Sequence, residues 1–300
     1  MSEPTVAFVT PVAAPRWARW LLFSPVARIV IFTLLLLLFG MAAHALLTAF
    51  GWDAKHASAN AKAVVQLLTR VLPTVVAYLI LVRMVERRAP TELAPRKILP
   101  DGVLGIAAGL LLFSVVVGVL WLLGSYHVVG TDPHAKWLPA LLTAGLGAGI
   151  AEEIICRGVL YRIVEEGLGS WWALLISALL FGAAHLANPN ATLWAALSIA
   201  IEAGLLFGLL YHLTRSLPLC MGLHAAWNFA QGTIYGIPVS GMDADGWLVS
   251  QRTGPDWLSG GAFGAEASVV ALALCSACSL GLLVVARRRG TLVRPAWRRR

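Results

Sequence analysis

Long stretches of this chain contain almost only apolar residues, and short polar segments separate them at regular intervals. A membrane-spanning helix needs about 20 consecutive, mostly apolar residues. Eight stretches come close to that length: 29–50, 64–84, 102–123, 137–155, 171–187, 193–213, 219–235 and 265–286. Most connections between them are short and rich in Gly, Pro, Asn and Asp, which are typical of turns. The pattern therefore predicts an all-α, polytopic membrane helix bundle with about eight transmembrane helices.

The composition agrees with a membrane protein. The chain is 59% hydrophobic and 13% charged, whereas about a quarter of the residues of a soluble domain are charged. Together with a mean hydropathy of +0.78, these values exclude a disordered protein, a coiled coil and an ordinary soluble enzyme. The 300 residues give a formal net charge of +8, and the meaning of that charge depends on which side of a membrane the basic residues face.

The basic residues are distributed very unevenly between the two predicted sides. Of 23 Lys and Arg residues, only Lys55, Lys62, Lys136 and Arg252 fall on one side, and Arg70 lies inside the second span. The other 18 fall on the opposite side. Because loops rich in Lys and Arg stay in the cytoplasm, both termini are predicted to be cytoplasmic. The expected location is a plasma membrane of a bacterium, with membrane lipids and no nucleic acid as partners.

The chain divides into six predicted regions. The first span is expected to be a retained signal anchor, because 28 residues precede its apolar run. The basic tail is expected to lie against anionic lipid. The regions are an N-terminal cytoplasmic arm (1–28), N-terminal transmembrane helices (29–136), a core with polar residues (137–235), an extracytoplasmic loop (236–264), a last transmembrane helix (265–286) and the cytoplasmic tail (287–300).

Three spans of the core carry polar residues where lipid is expected. An ionisable group inside a span is costly and is a functional candidate by default. Glu153 and Arg157 are four residues apart and share a helix face, so they are expected to pair. Glu152 is rotated by about 100° from Glu153, so it needs another partner and is the carboxylate available for chemistry. The other members of this cluster are Phe181, His185, His224 and Asn228.

Helix geometry predicts that Glu152 and His185 lie at the same depth in the membrane. If the fourth helix continues to Glu166 and turns at 167–169, Glu152 and His185 both lie about 24–26 Å from the turn. They would then be level on adjacent antiparallel helices. His224 follows Pro218 by only six residues, so its depth is left open by the sequence.

The cluster has the residue types for hydrolysis by an activated water. A carboxylate can act as general base, and an imidazole and an amide can stabilise an oxyanion. No Ser or Cys has a comparable setting, and the His-Glu-x-x-His zinc motif is absent. Weaker candidates are Arg70, expected to serve a kink or a lipid contact, and Glu202 and His212, expected to line the same cavity or to reach the interface. His44 and the four Cys residues are expected to pack.

Three motifs in order resemble a known family. Glu-Glu-x-x-x-Arg, Phe-x-x-x-His and His-x-x-x-Asn, within residues 149–228, resemble the CPBP intramembrane proteases, which include CAAX prenyl protease 2 and bacteriocin-processing and lysostaphin-resistance-like proteins. The resemblance implies an intramembrane endopeptidase acting on membrane-embedded or lipid-anchored substrates. It implies that Glu152 activates water shared with His185, and that His224 and Asn228 hold the oxyanion. Glu153 and Arg157 would brace the fourth helix, and Phe181 would support the site.

Two mechanisms remain compatible with the resemblance. Glu152, His185 and His224 can supply three zinc ligands with an open fourth position. A metal-free mechanism with Glu152 as the base is equally compatible with these residues and is slightly favoured. The two other functions that the sequence leaves open are a proton-coupled membrane transporter and a non-catalytic scaffold or immunity protein.

Overall fold

Long helices joined by short turns make up almost all of the computed structural model, which describes residues 6–299. Residues 1–5 of the predicted arm and Arg300 of the predicted tail lie outside the described residues. Among residues 6–299, seven helices are long and apolar enough to cross a membrane. They are α2 (Pro25–Ala49), α3 (Ala59–Val85), α4 (Pro95–Leu122), α5 (Trp137–Leu168), α6 (Ser170–Ala187), α7 (Leu193–Thr214) and α10 (Val269–Arg289), and a short helix α1 (Arg16–Leu21) precedes them. The protein is therefore an integral membrane protein with a polytopic helical fold, as predicted.

The predicted span at 219–235 is also helical but differs from the other seven. This segment, α8, consists of Leu217–Phe229 followed by a π-helical turn at Ala230–Ile234. It is not among the helices that are apolar enough to span by composition. Its side chains His224, Asn228 and Gln231 are all buried within the protein. Polar residues in α8 therefore contact other helices rather than lipid, which explains its lower hydropathy.

Helix α8 lies directly against α4 through glycines. A Cβ atom built on Gly109 would lie 2.4 Å from the carbonyl oxygen of Leu223, and one on Gly222 would lie 2.3 Å from that of Gly102. Small residues spaced in this way allow two helix backbones to approach closely in a membrane. The contact fixes the position of the helix that carries His224.

Helix α5 is the longest of the bundle. It runs to Leu168, as the depth argument required, and it alternates between α-helical and π-helical turns. The α-helical segment Ala148–Glu153 lies between two π-helical stretches. Such turns interrupt regular packing and occur often at functional sites. The two adjacent glutamates therefore lie on a short regular segment within an irregular helix.

The bundle end opposite the chain termini carries the only strands in the described part of the chain. Strand β1 (Tyr126–Thr131) pairs antiparallel with β2 (Leu248–Arg252), with Tyr126 opposite Arg252. The sequence pattern did not predict this ribbon. It ties the loop before α5 to the long segment 236–268, which also contains the short helix α9 (Asp256–Ser259).

The two ends of the described chain meet at the other end of the bundle. Arg28 forms ion pairs with Glu86 at 2.8 Å and with Glu166 at 2.6 Å, and Arg162 contacts both acids at 3.0 Å. Arg299 donates a hydrogen bond to the carbonyl oxygen of Glu166. These buried pairs join α2, α3, α5 and the C-terminal tail.

A third acid in this region, Glu92, is strongly stabilised in its charged form. Burial alone would raise the pKa of Glu92, but hydrogen bonds and attraction from Arg88, with help from Arg162 and Tyr78, lower that pKa to about 2. Glu92 therefore stays ionised at neutral pH beside Arg88, at 2.7 Å. A charged scaffold thus holds the helices together at the end away from the strands.

The glycine contact between α4 and α8 can be tested with a matched pair of variants on one helix. We expect Gly109→Ala to destabilise the protein by about 1–3 kcal/mol, because the new methyl group meets the backbone of α8. Gly118→Ala has open space around its Cβ and should leave the thermal stability equal or slightly higher. Melting temperatures of the purified proteins in detergent measure both effects. Equal melting temperatures for the two variants would contradict the close helix contact.

Candidate active site

Glu153 connects two of the three motif-bearing helices. Its Oε1 lies 2.9 Å from Nη1 of Arg157 and 2.9 Å from Nδ1 of His224. Glu153 and Arg157 are fully buried. Arg157 also donates hydrogen bonds to the carbonyl oxygens of Ala203 and Gly204 in α7. The predicted pair between Glu153 and Arg157 is therefore present, and it also orients the ring of His224.

Glu152 faces a cavity rather than the packed interior. Its Oε1 accepts a hydrogen bond from Arg70 at 2.6 Å, and its Oε2 lies 3.9 Å from Nε2 of His224. The expectation that Arg70 serves a kink or a lipid contact was wrong, because its guanidinium group pairs with Glu152. Since this partner comes from α3, which carries none of the three motifs, only the fold brings it to the site.

His185 lies at the end of α6. Its Nδ1 lies 2.8 Å from the carbonyl oxygen of Phe181, one helical turn earlier. The two rings are in contact, with centroids 4.8 Å apart. Phe181 also contacts the ring of His224 and covers the guanidinium group of Arg157, whose central carbon lies 4.7 Å from the ring centroid. Phe181 therefore packs among the charged residues of the site, and Nε2 of His185 is left without a partner among the described residues.

The depth of His224, which the sequence left open, is set by the start of α8. Ser216 caps this helix, and Leu217, Pro218 and Leu219 are all buried rather than exposed at a surface. The helix therefore begins recessed in the bundle, and His224 reaches both glutamates of α5. One turn later, Asn228 donates a hydrogen bond from Nδ2 to the carbonyl oxygen of Ala144 at 2.9 Å.

A single cavity of about 460 Å³ collects the predicted catalytic residues. We name it the catalytic cavity. Its polar lining consists of Arg70, Glu152, His185, Asn188, His224, Asn228 and Ser240. Asn188 and Ser240 belong to the loops at the strand-bearing end of the bundle. The cavity therefore lies on the side of the protein opposite the two chain termini.

Two of the weaker candidates, Glu202 and His212, lie in different parts of the structure. Glu202 is buried and lines a smaller cavity that also contacts His224 and Asn228. His212 lies elsewhere: its ring bonds to Glu165 at 2.9 Å and to Thr291 at 3.0 Å, near the C-terminal tail.

Two packing predictions were wrong. His44 lies on the exposed, outward face of α2. Cys156, Cys220 and Cys275 are buried as expected, but Cys278 is exposed on α10.

Glu266 is a member of this region that the sequence did not single out. It lies in a turn just before α10, is buried, and lines the same small cavity as Glu202. Burial raises the pKa of Glu266 to about 7, although hydrogen bonds from Ser240 and Gln231 lower it in part. In the sequence, Glu266 appears only as an acidic residue at the start of the predicted span 265–286. The fold, rather than a sequence motif, brings it near His224.

The donor groups fit a zinc site in type but not in arrangement. Both candidate histidines hold an acceptor at Nδ1, as metal-ligating histidines commonly do. Within residues 6–299, however, no three His, Cys, Asp or Glu side chains converge closely enough to hold one ion. The guanidinium group of Arg70 also occupies one oxygen of Glu152 and would repel a cation there. No catalytic step is therefore assigned to a metal.

Comparison with known proteins places the three motifs in one family region. No curated protein matches the chain. Residues 134–230, about a third of the chain, match the family described as type II CAAX prenyl endopeptidase Rce1-like. This region contains helices α5 to α7, most of α8 and all seven motif residues. The resemblance read from the motifs is confirmed: residues 134–230 of this membrane protein form a domain of the Rce1-like type II CAAX prenyl endopeptidase family.

Proposed function

We propose that the protein is an intramembrane endopeptidase in which Glu152 activates water. The observation that carries this proposal is the shared cavity, which brings Glu152, His185, His224 and Asn228 together around one space large enough for a peptide segment. A carboxylate, two imidazoles and an amide around one cavity have the chemistry of peptide hydrolysis. The family match independently supports a protease.

The proposed reaction begins at Glu152. A water bound between the Glu152 carboxylate and Nε2 of His185 gives a proton to the carboxylate while its oxygen attacks the peptide carbonyl carbon. The carbonyl π electrons move onto oxygen, which becomes the oxyanion. Glu152 then returns the proton to the amide nitrogen as the C–N bond breaks, so that an amine leaves and a carboxylic acid forms. Arg70 donates a hydrogen bond to Glu152 at 2.6 Å and so orients the carboxylate before the reaction.

The proposed oxyanion donors are His224 and Asn228. Nδ1 of His224 lies 2.9 Å from Oε1 of Glu153, and this contact orients the ring so that Nε2 lies 3.9 Å from Oε2 of Glu152. In this scheme Nε2 carries a proton. That Nε2–H points towards the cavity and can donate to the oxyanion. Asn228 uses one N–H on Ala144, which leaves its other N–H for substrate. Glu153 and Arg157 act as positioning residues in this scheme.

The orientation of the bundle determines where substrate is cut. We propose a bacterial plasma membrane, with both termini in the cytoplasm, because of the unequal distribution of Lys and Arg. The catalytic cavity is lined by Ser240 and Met242 of the opposite, strand-bearing end. Substrates would then be membrane-embedded or lipid-anchored peptides whose scissile bond lies in the outer half of the bilayer.

Replacing the base tests the mechanism. We expect Glu152→Gln to lower kcat for cleavage by at least about 100-fold, because a general base contributes about 10² to 10⁴ in rate. The measurement uses protein in vesicles with two quenched fluorescent peptides, one farnesylated with a CAAX end and one apolar without a lipid. The exposed variant Asp243→Asn is the control. Full activity of folded Glu152→Gln would remove Glu152 from the reaction.

Chelation distinguishes the two mechanisms that the sequence left open. We expect kcat/KM to stay within about two-fold after dialysis against 1,10-phenanthroline, because Glu152 in this scheme acts without a Lewis acid. Elemental analysis of the dialysed protein gives the metal content in parallel. Activity that disappears on dialysis and returns with added zinc would instead establish a zinc enzyme.

Cysteine labelling tests which side the cavity faces. In a Cys278→Ser background, Met242→Cys should react with a membrane-impermeant maleimide in intact cells, because Met242 is 57% exposed at the cavity. Thr91→Cys, exposed in the turn before α4, is the matched control and should react only after the membrane is permeabilised. The reverse labelling pattern would place the cavity on the cytoplasmic side.

A further inference from the structure

A second, smaller cavity lies against the catalytic cavity. We name it the acidic chamber. It shares Phe181, His185, His224, Asn228 and Ser240 with the catalytic cavity, so the same side chains form the boundary between the two spaces. Its far wall carries Glu202 from α7 and Glu266 from the turn before α10. The chamber is therefore next to the proposed oxyanion donors.

The two acids of the chamber differ from the other acids of the site in their pairing. Glu152 pairs with Arg70, and Glu153 pairs with Arg157. Within residues 6–299, neither Glu202 nor Glu266 forms an ion pair, although each is only 3% exposed. Oxygen Oε2 of Glu202 and Oε1 of Glu266 are buried without a hydrogen-bond partner among the described residues.

Buried polar atoms without partners are rare, and each needs a compensating group. A carboxylate pair in a low-dielectric site requires a proton or a cation between its members. The pKa of Glu266, raised by burial to about 7, allows this acid to be charged or neutral near neutral pH. The two carboxyl groups, each with a buried oxygen that lacks a partner among the described residues, therefore suit the chamber to a positively charged group of a ligand.

The small volume of the chamber favours a compact cationic group over a wide one. Its volume is about 30 Å³, which suits about two water-sized groups, since one needs roughly 10–15 Å³. An alkylammonium head is a compact point charge with three hydrogen-bond donors, whereas a guanidinium group is a wide planar fork. Phe207 and Trp227 also line the chamber, and aromatic rings attract cations.

We propose that Glu202 and Glu266 form a specificity subsite that binds the ammonium group of a lysine side chain of the substrate, next to the scissile bond. This proposal rests on the proposed peptidase function. The apolar stem of the lysine would reach the chamber from the catalytic cavity across the boundary that the two spaces share, beside His185, Asn228 and Ser240. The enzyme would then prefer peptides with lysine at one position near the cut over peptides with an apolar residue there.

The first experiment detects the subsite without turnover. n-Butylamine, which is n-butylammonium at neutral pH, mimics the lysine side chain, and n-butanol is the uncharged control. We expect n-butylamine, but not n-butanol at equal concentration, to raise the melting temperature of the purified full chain by several degrees. In Glu202→Gln/Glu266→Gln the concentration needed for half the effect should rise at least ten-fold, and in Asp243→Asn it should not change.

Two results of this experiment would overturn the proposal. One is a wild type that n-butylamine stabilises no more than n-butanol does, which would mean that the acids are satisfied by protons and water alone. The other is an unchanged response in the double variant, which would mean that the amine binds elsewhere. If the double variant does not fold, Glu202→Gln alone replaces it, because Glu202 has no hydrogen-bond partner among the described residues to lose.

The second experiment measures specificity in the wild type. A set of N-acylated apolar decapeptides carries lysine, arginine, norleucine or glutamate at each position in turn. We expect kcat/KM for lysine to exceed that for norleucine at least ten-fold at one position, and the ratio to approach one in the double variant. Cleavage without any preference for lysine would refute the subsite. Amine binding that depends on Glu202 and Glu266, with no cleavage of any peptide, would instead contradict the proposed peptidase and leave the chamber as an ammonium-binding site without a role in specificity.

Discussion

A carboxylate buried inside the membrane, that of Glu153, holds the active region together. One of its oxygens contacts both the guanidinium group of Arg157 and the imidazole of His224. A buried charge without such partners would be strongly destabilising. The contact therefore ties α5 to α8 and fixes the ring that faces Glu152. Glu152 and Glu153 have different roles, because a rotation of about 100° around the helix axis points their side chains towards different surroundings.

Close contact between helix backbones allows the helices of the active region to be arranged in this way. The glycines of α4 and α8 let these helices touch without side chains between them, and Gly149 gives α5 the same freedom beside Ala225. In lipid, helices associate through packing and hydrogen bonds rather than through a hydrophobic driving force. A polar helix such as α8 can therefore be buried only where neighbouring helices come near enough to form hydrogen bonds with its polar side chains.

The two ends of the bundle differ in how their charged residues are paired. Near the termini, Arg28, Arg162, Glu86 and Glu166 pair with one another and join distant parts of the chain. Around the catalytic cavity, the acids outnumber the arginines, and one oxygen each of Glu202 and Glu266 is buried without a hydrogen-bond partner among residues 6–299. Ion-paired residues can hold helices together, whereas carboxyl groups without a partner beside a cavity can bind a ligand.

The pattern of apolar residues was enough to predict the helical membrane fold, because about 20 apolar residues in a row have few other stable states in lipid. The pairing of Glu153 with Arg157 and the set of side chains with hydrolytic chemistry could also be predicted, since they depend on local helix geometry and residue type. The partner of Glu152, the depth of His224 and the position of Glu266 depend instead on how separate helices pack together. Arg70 is 82 residues from Glu152, and no periodicity relates residues that separate helices bring together. The strand pair between β1 and β2 escaped prediction for the same reason, because its register depends on how the distant helices place two loops.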